Sequence, residues 1–217
     1  SDSALATSPS SILESMSMRE KIGQMVMIGI PGTSLDSGTK KIIKTYKPGG
    51  IILFGYNYEN QNQVRELTYS IQDYANENGV LPLFVSTDQE GGRVKRITQG
   101  VTQFPGNMAL GSCDDASLTE LAALVTGIEL RRLGINMNLA PDVDVNNNPD
   151  NPIINTRSFG SKPALVARHG DAYIRGLQKG GCIAVAKHFP GHGDTAKDSH
   201  KTLPLVNHTL EELEAFE

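Results

Sequence analysis

Cys182-Ile183-Ala184-Val185-Ala186-Lys187-His188-Phe189-Pro190-Gly191-His192-Gly193-Asp194-Thr195-Ala196-Lys197-Asp198-Ser199-His200 begins as an apolar run and ends as a loop crowded with ionisable side chains. The run has the length and composition of a buried strand. Lys187 and His188 therefore fall where a parallel strand ends, and the glycines beyond them open the chain into a loop. In α/β proteins that carboxyl edge is where sites are assembled.

Upstream, strand and helix signals alternate. Ser17 and Glu20 have the spacing of a capping box, opening a short helix before a first strand at 24–30 that Pro31-Gly32 ends. Residues 35–46 are expected to be helical, 50–54 a buried strand, and 61–78 a helix with Val64, Leu67, Ile71 and Tyr74 on one face. A strand at 81–88 follows. Ser117 with Glu120 is expected to cap a helix whose buried face is Leu121, Leu124 or Val125, Ile128 and Leu133, ahead of a fourth strand at 135–145. Ser161 and Pro163 open a helix to about Lys179, which leads into the fifth strand at 182–187.

About five β-then-α units without an antiparallel hairpin signal imply a parallel sheet with right-handed crossovers. An open nucleotide-binding sheet would show a Gly-rich phosphate turn after its first strand, and Pro31-Gly32-Thr33-Ser34 is not one. Polar residues cluster instead at 88–96, 142–157 and 187–200, after three different strands. The expected fold class is α/β, a TIM-type (β/α) barrel. Such barrels need about 250 residues. Thr209 and Glu212 begin one more helix, with Leu210, Leu213 and Phe216 as its apolar face, close to Glu217. The expectation is an incomplete barrel, truncated within the helix after strand five and completed by a C-terminal segment that is cut, separate or absent.

The composition excludes several classes. Of 217 residues, 38% are hydrophobic and 20% charged, with a net charge of -4 and no long basic run, so nucleic acid and anionic membrane are not the expected partners. No apolar stretch approaches the roughly 20 residues of a membrane span. Cys113 and Cys182 lack a metal-binding spacing and are read as free thiols. The Ser/Thr/Pro/Ala-rich start makes 1–16 an N-terminal tether, which favours an exported or lipid-tethered protein over a cytoplasmic one, with 17–217 forming the barrel part. Asn207-His208-Thr209 matches a glycosylation sequon, which matters only in a eukaryotic secretory route.

Three constellations carry chemistry. In Asp88-Gln89-Glu90-Gly91-Gly92-Arg93-Val94-Lys95-Arg96, Asp88 leaves a strand end, the glycines permit close approach of a ligand and Arg96 returns toward the site. Asp88 is a candidate for sugar hydroxyls; a salt-bridged loop is the plainer alternative. Arg157, in a turn after an Asn/Pro-rich loop, offers a fork for a carboxylate or carbonyl. Asp198 and His200 lie two apart, close enough for the carboxylate to orient the imidazole and make it a proton donor near neutral pH. Lys187 and His188 can hold ligand hydroxyls or an amide oxygen, while His192 and Asp194 organise the loop. A divalent metal on His188, His192, Asp194, Asp198 and His200 is the rival reading. It is disfavoured because barrel metal ligands come from several strands and Lys187 would oppose a cation. A sugar-binding module without catalysis is a further alternative.

The motifs K-H-F-P-G-H-G-D-T-x-x-D-S-H at 187–200, D-Q-E-G-G-R-V at 88–94 and N-x-R-S-F-G at 155–160 appear in order over 17–217. Together they closely resemble the N-terminal barrel domain of glycoside hydrolase family 3, in its bacterial β-N-acetylglucosaminidase branch. The resemblance implies a retaining exo-hydrolase removing β-linked N-acetylglucosamine from peptidoglycan fragments or chitooligosaccharides. It implies Asp88, Arg96, Arg157, Lys187 and His188 as the sugar-binding residues, His200 as the general acid/base, Asp198 as its tuning partner, and no metal or organic cofactor. The implied nucleophile is an aspartate on a later strand, beyond the equivalent of Glu217, so residues 1–217 alone are expected to be inactive. Some relatives with this dyad transfer the sugar to phosphate, which leaves phosphorolysis as an alternative.

Overall fold

The structure, a computed structural model, describes residues 8–195 and 208–216. The chain runs α1 (Pro9–Ser15), α2 (Met18–Gln24), β1 (Met27–Gly29), α3 (Ser37–Tyr46), β2 (Gly50–Leu53), α4 (Gln61–Glu77) and β3 (Phe84–Thr87). A small hairpin of β4 (Gln89–Gly91) and β5 (Val94–Lys95) follows, then α5 (Asn107–Cys113), α6 (Ala116–Arg132), β6 (Met137–Asn138), α7 (Pro163–Lys179), β7 (Ile183–Ala184) and α8 (Leu210–Phe216). Strands β1-β2-β3-β6-β7 form one sheet in that order, every pair parallel. Consecutive parallel neighbours joined by helices are the β/α repeat expected of a TIM-type fold. Among the described residues the sheet does not close, and none of the helices is long and apolar enough to cross a membrane.

The core lies between sheet and helices, where Ile51, Leu83 and Val85 meet Ile43, Ile71, Ala123, Leu130 and Leu177. The α4 face is as expected: Val64, Leu67 and Ile71 are buried and Tyr74 packs against them. Two of the three expected capping pairs form, Ser17 with Glu20 on α2 and Thr209 with Glu212 on α8. Each contributes about 1 kcal/mol to its helix. On α8, Phe216 packs against the core while Leu210 is exposed.

Within the stretch expected as a tether lies α1, N-capped by Ser8, with none of its helical residues buried. Three expectations are corrected. The first strand is shorter than 24–30 because α2 extends to Gln24, whose amide donates to the Lys47 carbonyl at 2.8 Å. The cap of α6 is Asp115, accepting from the Ser117 amide, and its buried face is Thr119, Ala122, Ala123, Thr126, Gly127 and Leu130. Leu121 and Ile128 are exposed instead. The reason is the approach of α7: a Cβ on Gly127 would lie 2.9 Å from the Leu177 carbonyl oxygen, and one on Gly176 would overlap the Glu120 carbonyl. Only small side chains enter that seam. Finally, a hairpin interrupts the β/α alternation, its strands antiparallel and joined by a turn at Gly92-Arg93 that Gly91 and Gly92 enter at φ 91° and 56°.

The hairpin is seated by one residue of the sheet. Asn138 on β6 is fully buried, accepts from the Gln89 amide at 3.0 Å and donates to the Gln89 carbonyl at 2.8 Å. Beyond their formal ends β6 and β7 stay in contact through a parallel bridge between Asp142 and Lys187. Residues 135–145 and 182–187 therefore read as longer strands than the ladder itself.

Candidate active site

Three neighbouring strands deliver charge to one edge of the sheet. Asp88 follows β3, Asp142 and Asp144 follow β6, and Lys187 and His188 follow β7. The hairpin brings Glu90 and Arg96. Arg157 arrives on a single helical turn, Asn155–Arg157, anchored where its carbonyl accepts from the buried Asn107 amide at 2.8 Å.

These groups form two layers. The Asp88, Arg96, Lys187 and His188 side chains remain 15%, 34%, 14% and 35% exposed. Beneath them Arg157, Glu90, Asp142 and Asp144 are 10%, 2%, 0% and 1% exposed. In the upper layer Asp88 accepts from Lys187 Nζ at 2.9 Å and from Arg96 Nη2 at 3.2 Å. Burial alone would raise the Asp88 pKa, but these two cations hold it below its ordinary value. Below, Arg157 grips Glu90 with two parallel bonds of 2.9 and 2.8 Å, and Lys187 reaches the same carboxylate at 2.6 Å. The fork of Arg157, expected to meet a ligand, is thus occupied by the protein itself.

The buried carboxylates differ sharply. Asp142 is pushed up to about 8 by burial and by the neighbouring Asp144 charge, which the Arg157 guanidinium 3.4 Å away does not offset. Burial also opposes ionisation of Asp144, but His188 Nδ1, 2.6 Å from its Oδ2, and backbone amides of His188 and His192 hold its pKa below the ordinary value. Asp142, Asp144 and His188 bring ligand-type atoms within 4.8 Å of one another. A divalent ion fits this set poorly, because Arg157 lies 3.4 Å from both Asp142 Oδ2 and His188 Nε2 and already supplies the positive charge.

The start of the 187–200 loop is fixed to the same floor. The His192 amide donates to Asp144 Oδ1 at 2.8 Å, and Asn151 Nδ2 donates to the His192 and Gly193 carbonyls at 2.7 and 3.0 Å. Asn148 Nδ2 holds the Asp194 carbonyl at 3.1 Å. His192 and Asp194 thus take part in organising the loop. Asp198 and His200 lie outside the described residues.

The structure brings Asp88, Arg96, Arg157, Lys187 and His188 into one cluster, and it adds Glu90, Asp142 and Asp144, which sequence reasoning passed over. A signal for the last two exists. Asp-Val-Asp-Val at the end of an apolar strand puts both carboxylates on one face by the two-residue period. An upper layer of one carboxylate, two cations and one imidazole offers acceptors beside donors. That mixture suits hydroxyls, which do both.

A parallel β/α arc whose polar groups gather at the carboxyl ends of successive strands is the site-bearing edge of a TIM-type α/β domain. Residues 17–217 match the model of the glycosyl hydrolase family 3 N terminal domain. The chain belongs to glycoside hydrolase family 3. It is 48% identical to a glycoside hydrolase family 3 beta-N-acetylglucosaminidase from Paenibacillus sp. str. FPU-7, with a TM-score of 0.90 over 93% of this chain and 38% of that one. It is 44% identical over 187 residues to Beta-hexosaminidase A of Pseudoalteromonas piscicida, covering 83% of this chain and 31% of the relative. A structure of NagZ from Neisseria gonorrhoeae in complex with N-trifluoroacetyl-D-glucosamine is 35% identical, with a TM-score of 0.81 over 88% of this chain and 57% of that one. The chain therefore spans from 31% to 57% of the length of these relatives.

Proposed function

We propose that the full-length protein is a retaining exo-β-N-acetylglucosaminidase acting on N-acetylglucosamine-containing saccharides such as peptidoglycan fragments or chitooligosaccharides. The observation that carries this reading is the partly exposed layer of Asp88, Arg96, Lys187 and His188 at the strand ends of a family 3 domain. It is supported by relatives named for that activity and by one relative's complex with an N-acylated glucosamine.

In this reading Asp88 accepts from hydroxyls of the terminal sugar while Lys187 and Arg96 donate to them. Arg157 acts from beneath by fixing Glu90 and Lys187. His200 protonates the leaving oxygen as a carboxylate from a segment beyond Glu217 bonds to the anomeric carbon. His200 then removes a proton from the water that releases the sugar. Asp198 orients His200 and stabilises its protonated form.

The test is turnover of an aryl β-N-acetylglucosaminide by the full-length protein and its His200→Ala variant in phosphate-free buffer. Loss of a proton-transfer group is expected to cost about 10²–10⁴-fold in rate. An unchanged rate in the variant overturns the acid/base role, and a rate that requires added phosphate replaces hydrolysis with phosphorolysis.

A further inference from the structure

Asp144 makes more of its carboxylate than any ligand-facing group nearby. Its Oδ1 accepts from the backbone amides of His188 at 3.2 Å and His192 at 2.8 Å, tying together both sides of Phe189-Pro190-Gly191. Its Oδ2 meets His188 Nδ1 at 2.6 Å. One buried carboxylate thus sets both where His188 starts and which way its ring faces.

The ring's protonation pattern follows from its two neighbours. A carboxylate at 2.6 Å requires the proton on Nδ1. On the other side Arg157 Nη2, which only donates, stands 3.4 Å from His188 Nε2, and a second proton there would point donor at donor. Nε2 therefore keeps its single lone pair, which accepts from Arg157 Nη2 at the floor of the partly open upper layer. Asp144 is 1% exposed, so water does not take the place of the ring as donor to Oδ2.

We infer that Asp144 is a positioning residue that holds His188 in its Nδ1–H tautomer, so that Nε2 accepts from Arg157 and the ring offers no N–H to a sugar hydroxyl or to the N-acetyl carbonyl. The inference deepens the glycosidase reading and rests on it for the identity of the ligand. His188 then shapes the site without donating to the sugar, leaving donation to Lys187 and Arg96. Asp144→Asn keeps an oxygen for the two backbone amides but presents an N–H₂ to the ring. The Nδ1 lone pair then has to accept, and the proton moves to Nε2.

The experiment is long-range ¹H–¹⁵N correlation of histidine-labelled, ligand-free, full-length protein and its Asp144→Asn variant, paired with inhibition by N-acetylglucosamine. The expected result is a protonated Nδ1 and unprotonated Nε2 for His188 in the unsubstituted protein, the reverse in the variant, and inhibition weakened about 10-fold or more. A merely structural Asp144 would lower the melting temperature without moving the proton. A protonated Nε2 in the unsubstituted protein overturns the inference whether or not the variant folds, as does a variant with an unmoved proton and unchanged inhibition. The spectrum needs no turnover, so failure of the glycosidase reading would appear in the rate assay alone.

Discussion

Strands β1 and β2 run into Ile30-Pro31 and Phe54-Gly55, whereas β3, β6 and β7 run into Asp88, the Asp142/Asp144 pair and Lys187. At the first pair a neutral side chain closes the backbone. Asn57, fully buried, donates to the Ile30 and Gly32 carbonyls at 3.0 and 2.6 Å and accepts from the Phe54 amide at 2.8 Å. At the other three strands the main chain closes the strand ends themselves, Leu139 N to Thr87 O at 2.9 Å, Lys187 N to Pro141 O at 3.1 Å and Val143 N to Lys187 O at 2.8 Å, and buried side chains take over only beyond them, Asn138 on Gln89 and Asp144 on the amides of His188 and His192. Every buried backbone group needs a partner. One neutral side chain closes the first region, whereas in the second buried side chains hold the backbone from below and leave Asp88, Arg96, Lys187 and His188 partly open above.

The contrast is broken most severely at Glu90. It is the shared counter-charge of Arg157 and Lys187, so Glu90→Ala leaves two largely buried cations short of an anion. Removing one partner of such a cluster costs about 3–5 kcal/mol, to be read from urea unfolding of the full-length protein. A loss under about 1 kcal/mol would mean that Arg157 re-pairs with Asp142 and Lys187 with Asp88, and that the lower layer is not structural. The opposite region gives a smaller number of a different kind. Asn57→Ala strands three backbone groups and is expected to cost about 1–3 kcal/mol. Inhibition by N-acetylglucosamine should stay unchanged, because no charged group stands there. Weakened inhibition in that variant would show that the β1 and β2 ends belong to the site after all.

How far these features were legible in the chain depends on how local their causes are. The β/α order was readable because 50–54 and 81–88 are contiguous apolar runs and α4 repeats its apolar residues at helical spacing. The buried face of α6 was misread because periodicity ranks large side chains first, whereas the approach of α7 selects Ala122, Ala123 and Gly127. The hairpin was hidden because Asp88 to Arg96 carries charges where a strand pattern would alternate. In the site, Asp88, Arg96, Lys187 and His188 announced themselves as ionisable residues at strand ends beside glycines. Glu90, Asp142 and Asp144 did not, since a buried carboxylate is defined by its partners. Arg157, Lys187 and His188 come from distant segments that only the fold brings together.

The smallest effect sharpens the comparison inside the lower layer. Asp142 keeps its proton up to about 8 in the folded protein, whereas an unfolded aspartate loses it near about 3.9. Between those values the folded state binds more protons than the unfolded one, so this residue's contribution to stability falls as pH rises and levels off above the folded value. Asp144 works in the opposite sense, its folded pKa being depressed: it stabilises above the ordinary carboxylate range and loses that contribution only as pH falls below it. The two windows therefore separate. From pH 6 to pH 7 the Asp142 tilt acts without the Asp144 one, at about 1 kcal/mol. Asp142→Asn keeps the shape and removes the titration. The stability difference between variant and unsubstituted protein should grow in the variant's favour by that amount from pH 6 to pH 7, measured by urea unfolding at each. A difference that stays constant would place the proton on a histidine of the cluster and make Asp142 a second ionised partner for Arg157.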